Sequence, residues 1–151
     1  MMTFEQIMTE LKKKHYRPIY YLMGEEPYFM DLICDYIAEN ALSEEEKAFN
    51  QVIMYGKDTN VYAVVDAAKR FPMMSQHQVV IVKEAQKLKE IDKMQAYAEK
   101  PLKSTILVIC HKYGTLDKRL KLYKTLDNSK EAAVLESKKM YDNHIPSWIT
   151  G

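Results

Sequence analysis

The chain has 151 residues, of which 47% are hydrophobic and 28% are charged, and its formal net charge is +1. This length suits one well-packed domain, and the near-neutral charge means that any nucleic-acid contact requires a local basic patch. No run approaches the roughly 18 uninterrupted apolar residues of a membrane span, so we expect no membrane contact. Cys34 and Cys110 lie in apolar runs typical of buried thiols, which favours a reducing, cytoplasmic location.

Helical and strand patterns alternate along the chain. Thr3 and Gln6 form a capping box for a first helix that ends in the basic run 12–14, and Pro27 opens a second helix. The apolar runs predict strands near residues 19–23, 51–55, 78–83, 105–110 and 132–136. Helical spacing predicts further helices over Val61–Arg70, Leu88–Glu99 and Leu116–Leu126. The acidic stretch 43–47 is interpreted as a solvated loop.

The predicted strands lack polar alternation, which is typical of strands buried on both faces. A helix separates each strand from the next, and this βαβ pattern indicates a parallel sheet covered by helices. The sequence therefore predicts a three-layer α/β domain with a mainly parallel five-stranded sheet and helices on both faces.

The turn after the first predicted strand is where a sheet of this kind binds ligands. A phosphate-binding loop needs glycines, whose backbone N–H groups approach the phosphate, and a lysine that neutralises its charge. This turn offers Gly24 alone, followed by Glu25, Glu26 and Pro27. We interpret Gly24–Pro27 as a degenerate phosphate loop, a tight turn whose acids favour the helix N-terminus.

Residues for other chemistry are dispersed. None of the four histidines pairs with a cysteine or an acid at the spacing of metal ligands. No Gly-x-Ser-x-Gly elbow occurs, and the apolar setting of both cysteines does not favour a nucleophile. The residues therefore indicate no catalytic group, no metal site and no cofactor.

Four segments of the chain resemble, in order and spacing, the N-terminal domain of the bacterial DNA polymerase III delta subunit. They are PIYYLMGEEPYFMDLICDYI, RFPMMSQHQVVIVKEAQKL, STILVICHKYGTLDKRLKLYKTL and AAVLESKKMYDNHIPSWI. The strongest matches are YLMGEEP, LDKRLKLYK and the closing IPSWI, and the resemblance extends roughly over residues 17–149.

The resemblance implies an AAA+-like (P-loop NTPase-like) fold without a functional phosphate loop. Members of this family are non-catalytic clamp-loader subunits of DNA polymerase III, which bind the sliding clamp (beta subunit) and favour ring opening for loading on primed DNA during replication. The implied partners are the clamp, the gamma/tau and delta prime subunits, and primed DNA through the full complex. Because family members continue into further domains, we expect an AAA+-like domain over residues 1–140. Residues 141–151 then begin the connection to a second domain that this chain lacks.

The resemblance also gives a role to the segment RFPMM. Family members carry two exposed apolar residues in the turn after the corresponding helix, and these residues enter a pocket on the clamp. Met73 and Met74 match those positions, with Phe71 and Pro72 supporting them. The alternative is that both methionines pack back against the sheet, where flexible thioethers fill gaps.

The segment DKRLKLYK has two interpretations that the sequence leaves open. Its basic residues Lys118, Arg119, Lys121 and Lys124 flank an apolar stripe on a predicted helix. They form either a solvated helix face or a contact with a neighbouring subunit or with nucleic-acid phosphate.

Two classes of function also stay open. The first is a non-catalytic subunit that binds a protein ring. The second is a nucleotide-dependent α/β switch or enzyme with a degenerate phosphate loop.

Overall fold

A parallel β-sheet forms the centre of the protein in the computed structural model, which describes residues 1–138. Its strands are β1 (Ile19–Gly24), β2 (Gln51–Tyr55), β3 (Gln78–Lys83), β4 (Thr105–Lys112) and β5 (Ala132–Ser137). Within the described residues the sheet order is β2-β3-β4-β1-β5, and every pairing is parallel. The predicted parallel sheet is therefore confirmed, and all five apolar runs form its strands.

Helices connect the strands and cover the sheet. They are α1 (Phe4–Lys12), α2 (Pro27–Asn40), α3 (Glu44–Asn50), α4 (Val61–Ala68), α5 (Gln95–Glu99) and α6 (Lys121–Asn128). Short 3-10 turns occur at Gly56–Asp58, Ala85–Lys87 and Ile91–Met94. The predicted capping box of Thr3 and Gln6 begins α1, and Pro27 lies in the first turn of α2, as expected.

Two apolar cores lie on opposite faces of the sheet, which gives the predicted three layers. Side chains of α4, α5 and α6 pack with Tyr21 and Met23 on one face, whereas those of α1 and α2 pack with Tyr20 and Leu22 on the other. Successive residues of β1 therefore point into different cores, as the geometry of a strand requires. Both faces of β1 are buried, and the prediction from its unbroken apolar run is confirmed.

The strand β2 is one of the two edge strands of the sheet, and β5 is the other. Val52 and Ile53 are exposed although both are apolar, and no residue of β2 is fully buried. The sequence predicted burial on both faces here, and this prediction is wrong for β2. Edge strand β5 is buried because most of its residues belong to the two cores, whereas only Met54 of β2 packs against one of them. Which strands the helices cover cannot be deduced from an apolar run.

Two predicted helices are shorter than their patterns. Within the predicted helix Leu88–Glu99 there is one 3-10 turn, Ile91–Met94, followed by the five-residue α5, because Glu90 adopts a left-handed backbone angle (φ 56°) that interrupts a helix. The helix predicted from Leu116 begins only at Lys121. There the Asp117 carboxylate accepts a hydrogen bond from the Arg119 backbone N–H, which favours a turn over a helix.

The acidic stretch 43–47, predicted to be a loop, is the start of α3. Ser43 and Glu46 form a reciprocal capping box, in which each side chain accepts from the other residue's backbone N–H. The three acidic residues that follow Ser43 also suit the positive end of the helix dipole. The sequence signal for this helix was present and was misinterpreted as solvation alone.

The predicted domain boundary after residue 140 and the closing IPSWI lie outside the described residues. Among the helices that are described, none combines the length and the apolar character that a bilayer crossing requires.

Candidate functional site

Three large apolar side chains project into solvent from the connection between α4 and β3. Phe71 is 77% exposed, Met73 is 62% exposed and Met74 is fully exposed. Pro72 lies between them and is half-buried. The structure therefore places the methionine pair outside both cores, not against the sheet as gap-filling residues. We call Phe71–Met74 the apolar turn.

The backbone of the apolar turn adopts an uncommon conformation at its tip. Met74 has a φ angle of 55°, in the left-handed region that non-glycine residues adopt at a cost of roughly 1–2 kcal/mol. Such a conformation persists where neighbouring interactions determine it. Those interactions come from both sides of the turn.

Asn50, the last residue of α3, holds the apolar turn from one side. Its Oδ1 accepts a hydrogen bond from the Met73 backbone N–H at 2.6 Å, and its Nδ2 donates to the Met73 carbonyl at 2.8 Å. The same Nδ2 lies 3.1 Å from the Glu46 carbonyl of α3. Asn50 is only 5% exposed, so these bonds form away from water.

Gln78 and Thr105 hold the other side, where α4 ends. The Gln78 Nε2 lies 2.6 Å from the Arg70 carbonyl and 3.0 Å from the Ala67 carbonyl, and the Thr105 hydroxyl donates to the Ala68 carbonyl at 2.6 Å. The last carbonyls of a helix have no partner within the helix. These two buried side chains therefore satisfy the end of α4 and fix the point at which the apolar turn begins.

A further contact joins α3 to the residues that follow the apolar turn. The Ser75 hydroxyl donates to the His77 carbonyl at 2.9 Å and accepts from the His77 backbone N–H. A hydrogen bond with Ser75, together with those from Ser43, lowers the pKa of the Glu46 carboxyl below its ordinary value. The turn is thus connected to α3 through both Asn50 and Glu46.

The degenerate phosphate loop, Gly24–Pro27, lies at the opposite end of the parallel strands, because it follows β1 whereas the apolar turn precedes β3. The Gly24 N–H donates to the Gly114 carbonyl at 2.9 Å, and the Glu26 N–H donates to the Ser137 carbonyl at 3.2 Å. The Glu26 carboxylate accepts from the Tyr28 N–H at 3.1 Å, and Pro27 has no N–H. The N–H groups of Gly24, Glu26 and Tyr28 are therefore already bonded within the protein.

Gly24 also allows β5 to approach this loop closely. Its φ angle is 130°, and a Cβ atom there would overlap the backbone of Ser137. The space beside Gly24 is therefore filled by the end of β5.

A pair of side chains, the buried Tyr21 and the half-buried His111, lies close to the degenerate phosphate loop. The Tyr21 hydroxyl is 2.9 Å from His111 Nδ1, and burial lowers the pKa of His111 and raises that of Tyr21. Within residues 1–138 no group of three or more His, Cys, Asp and Glu side chains is arranged to hold a metal ion. Cys34 and Cys110 are free and buried, as their apolar settings predicted.

The four basic residues of DKRLKLYK do not share one helix. Lys118 and Arg119 precede α6, whereas Lys121 and Lys124 lie on it. Three of them form ion pairs, which are Lys118 with Glu136 at 3.0 Å, Arg119 with Asp117 at 3.0 Å and Lys121 with Glu99 at 3.4 Å. These carboxylates partly neutralise the positive charge that a phosphate contact would use.

Comparisons with known proteins give the family of the chain. The sequence model of the family described as "DNA polymerase III, delta subunit" matches residues 20–138. The chain belongs to the DNA polymerase III delta subunit family. The DNA polymerase III subunit delta of Bacillus subtilis is 29% identical to it over 144 residues, which are 89% of this chain and 41% of the relative. This delta-family chain thus spans about two fifths of the length of that relative.

Two solved structures are similar to this delta-family chain. The Bacillus subtilis DNA clamp loader delta protein matches with a TM-score of 0.78 and 26% identity, covering 91% of this chain and 43% of that one. A DNA polymerase III gamma subunit-related protein of Thermotoga maritima has a TM-score of 0.61 and 13% identity, covering 95% of this chain and 47% of that one. The second likeness is one of fold alone.

Sequence reasoning about this delta-family chain missed the residues that hold the apolar turn. Asn50 and Gln78 each stand at the edge of an apolar run, which is the one signal that the sequence offered. The Asn50 partner, Met73, is 23 residues away along the chain. No local pattern predicts a contact at that separation.

Proposed function

We propose that the chain is the sliding-clamp-binding part of a clamp-loader delta subunit, and that the apolar turn enters a pocket on the clamp and favours ring opening. One observation carries the proposal, which is that Phe71, Met73 and Met74 are exposed on a turn whose backbone is held by buried side chains. Exposed apolar side chains on a held backbone are the arrangement expected of a binding surface.

The energetics of the apolar turn suit a protein pocket. Burying one methionine side chain in a partner is worth on the order of 1.5–3 kcal/mol, and two adjacent ones are on the scale of an interface hot spot. The thioether is flexible and polarizable, so it adapts to the shape of a pocket. A clamp from the same organism is the natural partner for such a surface.

The proposal assigns no nucleotide to this chain. The N–H groups of Gly24 and Glu26 are bonded to other backbone carbonyls, and the Glu26 carboxylate occupies the start of α2, where a phosphate would otherwise bind. Binding of ATP then falls to other clamp-loader subunits, gamma/tau, with delta prime as a further neighbour and primed DNA reached through the complex. The chain acts without catalysis or a cofactor of its own, in the cytoplasm.

The basic residues have a smaller part in this proposal. Lys124 and the ion-paired Lys118, Arg119 and Lys121 contact a neighbouring subunit or DNA when the complex assembles. Because surface ion pairs contribute only about 0–1 kcal/mol, a phosphate or a partner carboxylate can replace the present partners.

Two titrations test the proposal against the alternative of a nucleotide-dependent switch or enzyme. The chain is titrated with purified sliding clamp and, separately, with a fluorescent ATP analogue in the presence of Mg²⁺. We expect saturable clamp binding and no saturable nucleotide binding. Nucleotide binding without clamp binding would favour the alternative and overturn the proposal.

A further inference from the structure

The contact between α3 and the apolar turn has a consequence for binding. The structure assigns to Asn50 the role of a positioning residue, which holds the apolar turn in the conformation that a partner recognises. This inference rests on the proposed function, and it adds a residue that makes no contact with the partner. Asn50 would act through Met73 alone.

The geometry at Met73 supports this role. Both backbone polar groups of Met73 are bonded to the Asn50 amide, at 2.6 Å and 2.8 Å. The contact of Asn50 with the Glu46 carbonyl, at 3.1 Å, fixes the amide relative to α3. One side chain thus determines the position of the Met73 backbone, to which Met74 is joined directly.

The distribution of buried polar side chains supports it independently. Within residues 1–138 the buried polar residues are Asn50, Gln78, Thr105 and Ser137. Asn50 bonds Met73, and Gln78 and Thr105 bond the end of α4 just before the turn. Three of these four residues therefore surround one surface turn. Burying polar groups is costly unless they are paired, so this concentration indicates that the position of the turn matters.

The effect on affinity follows from conformational entropy. A turn that is free before binding loses backbone freedom when it enters a pocket, and this loss opposes association. A turn that is already ordered avoids the loss. Removing the Asn50 amide should therefore weaken binding although every side chain that meets the partner is still present.

The first experiment compares Asn50→Ala with Asn40→Ala. Asn40 is exposed and its Nδ2 makes one local bond, to the Tyr36 carbonyl at 2.9 Å, so it is a matched control. We expect Asn50→Ala to weaken clamp binding by about tenfold or more, measured by surface plasmon resonance, and Asn40→Ala to bind like the unmodified chain. In the free protein, the Met73 amide should exchange with solvent faster in Asn50→Ala, measured by hydrogen exchange with NMR detection.

A double-mutant cycle separates positioning from a general structural role. In the Met73→Ala/Met74→Ala background, Asn50→Ala should cause no further loss of clamp affinity, because there are no methionine side chains left to position. An equal loss in both backgrounds would overturn the inference, as would an unchanged affinity or an unchanged Met73 exchange rate in the unmodified background.

The same measurements distinguish this inference from the proposed function. If Met73→Ala/Met74→Ala binds the clamp like the unmodified chain, the proposed function fails. If that variant binds weakly but Asn50→Ala binds normally, only the role of Asn50 fails. Should Asn50→Ala not fold, Asn50→Asp replaces it, since it keeps the acceptor for the Met73 N–H but places a carboxylate against the carbonyls of Met73 and Glu46. The same weakening is expected from Asn50→Asp, and normal binding by it would overturn the inference.

Discussion

The apolar turn and the degenerate phosphate loop lie at opposite ends of the strands of one parallel sheet. The apolar turn leads from α4 into β3, whereas the degenerate phosphate loop leads from β1 into α2. In both, backbone N–H groups and carbonyls bond to partners inside the protein, namely Asn50 for Met73 and the carbonyls of Gly114 and Ser137 for the loop.

The difference lies in what each turn presents to solvent. In the apolar turn, hydrogen bonds with Asn50 order the Met73 backbone, and the exposed groups are apolar side chains. Such a surface suits burial in a partner. In the degenerate phosphate loop, internal bonds occupy the N–H groups of Gly24, Glu26 and Tyr28, which a phosphate ligand would otherwise use. The comparison teaches that internal hydrogen bonding of a loop can prepare one binding site and close another.

The largest effect is expected from Met73→Ala/Met74→Ala. We expect clamp binding to weaken by roughly 2–4 kcal/mol, because two pocket-filling side chains are lost. The melting temperature should change little, because exposed side chains contribute little to the core. Isothermal titration and thermal melting of the same sample measure both effects.

Tyr62→Ala is the control for the methionine pair, because Tyr62 is as exposed as Met73, at 62% each. It should bind the clamp like the unmodified chain. If the methionine variant instead keeps its clamp affinity and melts at a much lower temperature, the pair contributes to stability and not to binding.

A change at the degenerate phosphate loop should affect stability and leave binding intact. Gly24→Ala introduces a Cβ at φ 130°, where it overlaps the Ser137 backbone. We expect a loss of about 2–3 kcal/mol in the free energy of unfolding, measured with urea. Clamp affinity should stay the same under conditions where the variant is folded, because the loop and the apolar turn lie at opposite ends of the strands.

Gly114→Ala is the matched glycine control. A Cβ there would lie 3.5 Å from the nearest atom, His111 Nε2, which is an ordinary van der Waals distance. It should cost much less than Gly24→Ala. Equal losses for the two variants would contradict the close approach of β5 to Gly24.

A smaller effect is expected where α4 ends. Gln78→Leu removes the buried donor for the Ala67 and Arg70 carbonyls, and we expect the free energy of unfolding to fall by about 1–3 kcal/mol. Gln76→Leu, at an exposed position of the same connection, should be close to neutral. Urea unfolding of both variants checks the difference, and an equal effect would show that the buried amide contributes nothing specific.

The smallest effect is a pH dependence near the degenerate phosphate loop. Burial lowers the pKa of His111 from its ordinary value of 6.5, so the folded state disfavours the protonated ring. The stability contribution of neutral His111 is complete above pH 6.5 and is lost as the pH falls below 6.5 through the lower folded pKa. Urea midpoints at several pH values between 7.5 and 5.5 measure it.

His111→Gln should reduce the dependence of the urea midpoint on pH, whereas His15→Gln, at an exposed histidine, should retain it. If the urea midpoint of His111→Gln depends on pH as strongly as that of the unmodified chain, the pH dependence belongs to other groups.

The elements of the fold that follow from local patterns were predicted well. The apolar runs at Ile19–Gly24 and Gln78–Lys83 form strands, and the capping box at Thr3 begins a helix, because these signals depend on neighbouring residues. The helix predicted over Leu88–Glu99 was too long, since the left-handed angle at Glu90 leaves only Gln95–Glu99 as α-helix. The capping box at Ser43 was present in the sequence but was misinterpreted.

The candidate site was likewise predicted only in part. The sequence, with its family resemblance, indicated Met73 and Met74 as site residues. The sequence also showed that no glycine-rich loop occurs at Gly24. Clamp binding by the methionine pair stays a prediction. The closure of the loop by Ser137 was not predictable, because β5 reaches Gly24 only after the chain has folded.

The sequence by itself determined that the protein is a parallel α/β domain with two adjacent methionines in a turn, since periodicity and turn chemistry are local properties. Only the tertiary structure decided that β2 is an exposed edge, that Asn50 binds the Met73 backbone and that Ser137 fills the space beside Gly24. The contact of Asn50 with Met73 and that of Gly24 with Ser137 each join residues more than twenty positions apart. Their pairing depends on the order of the strands in the sheet, which is set by packing of the whole domain and not by any segment of it.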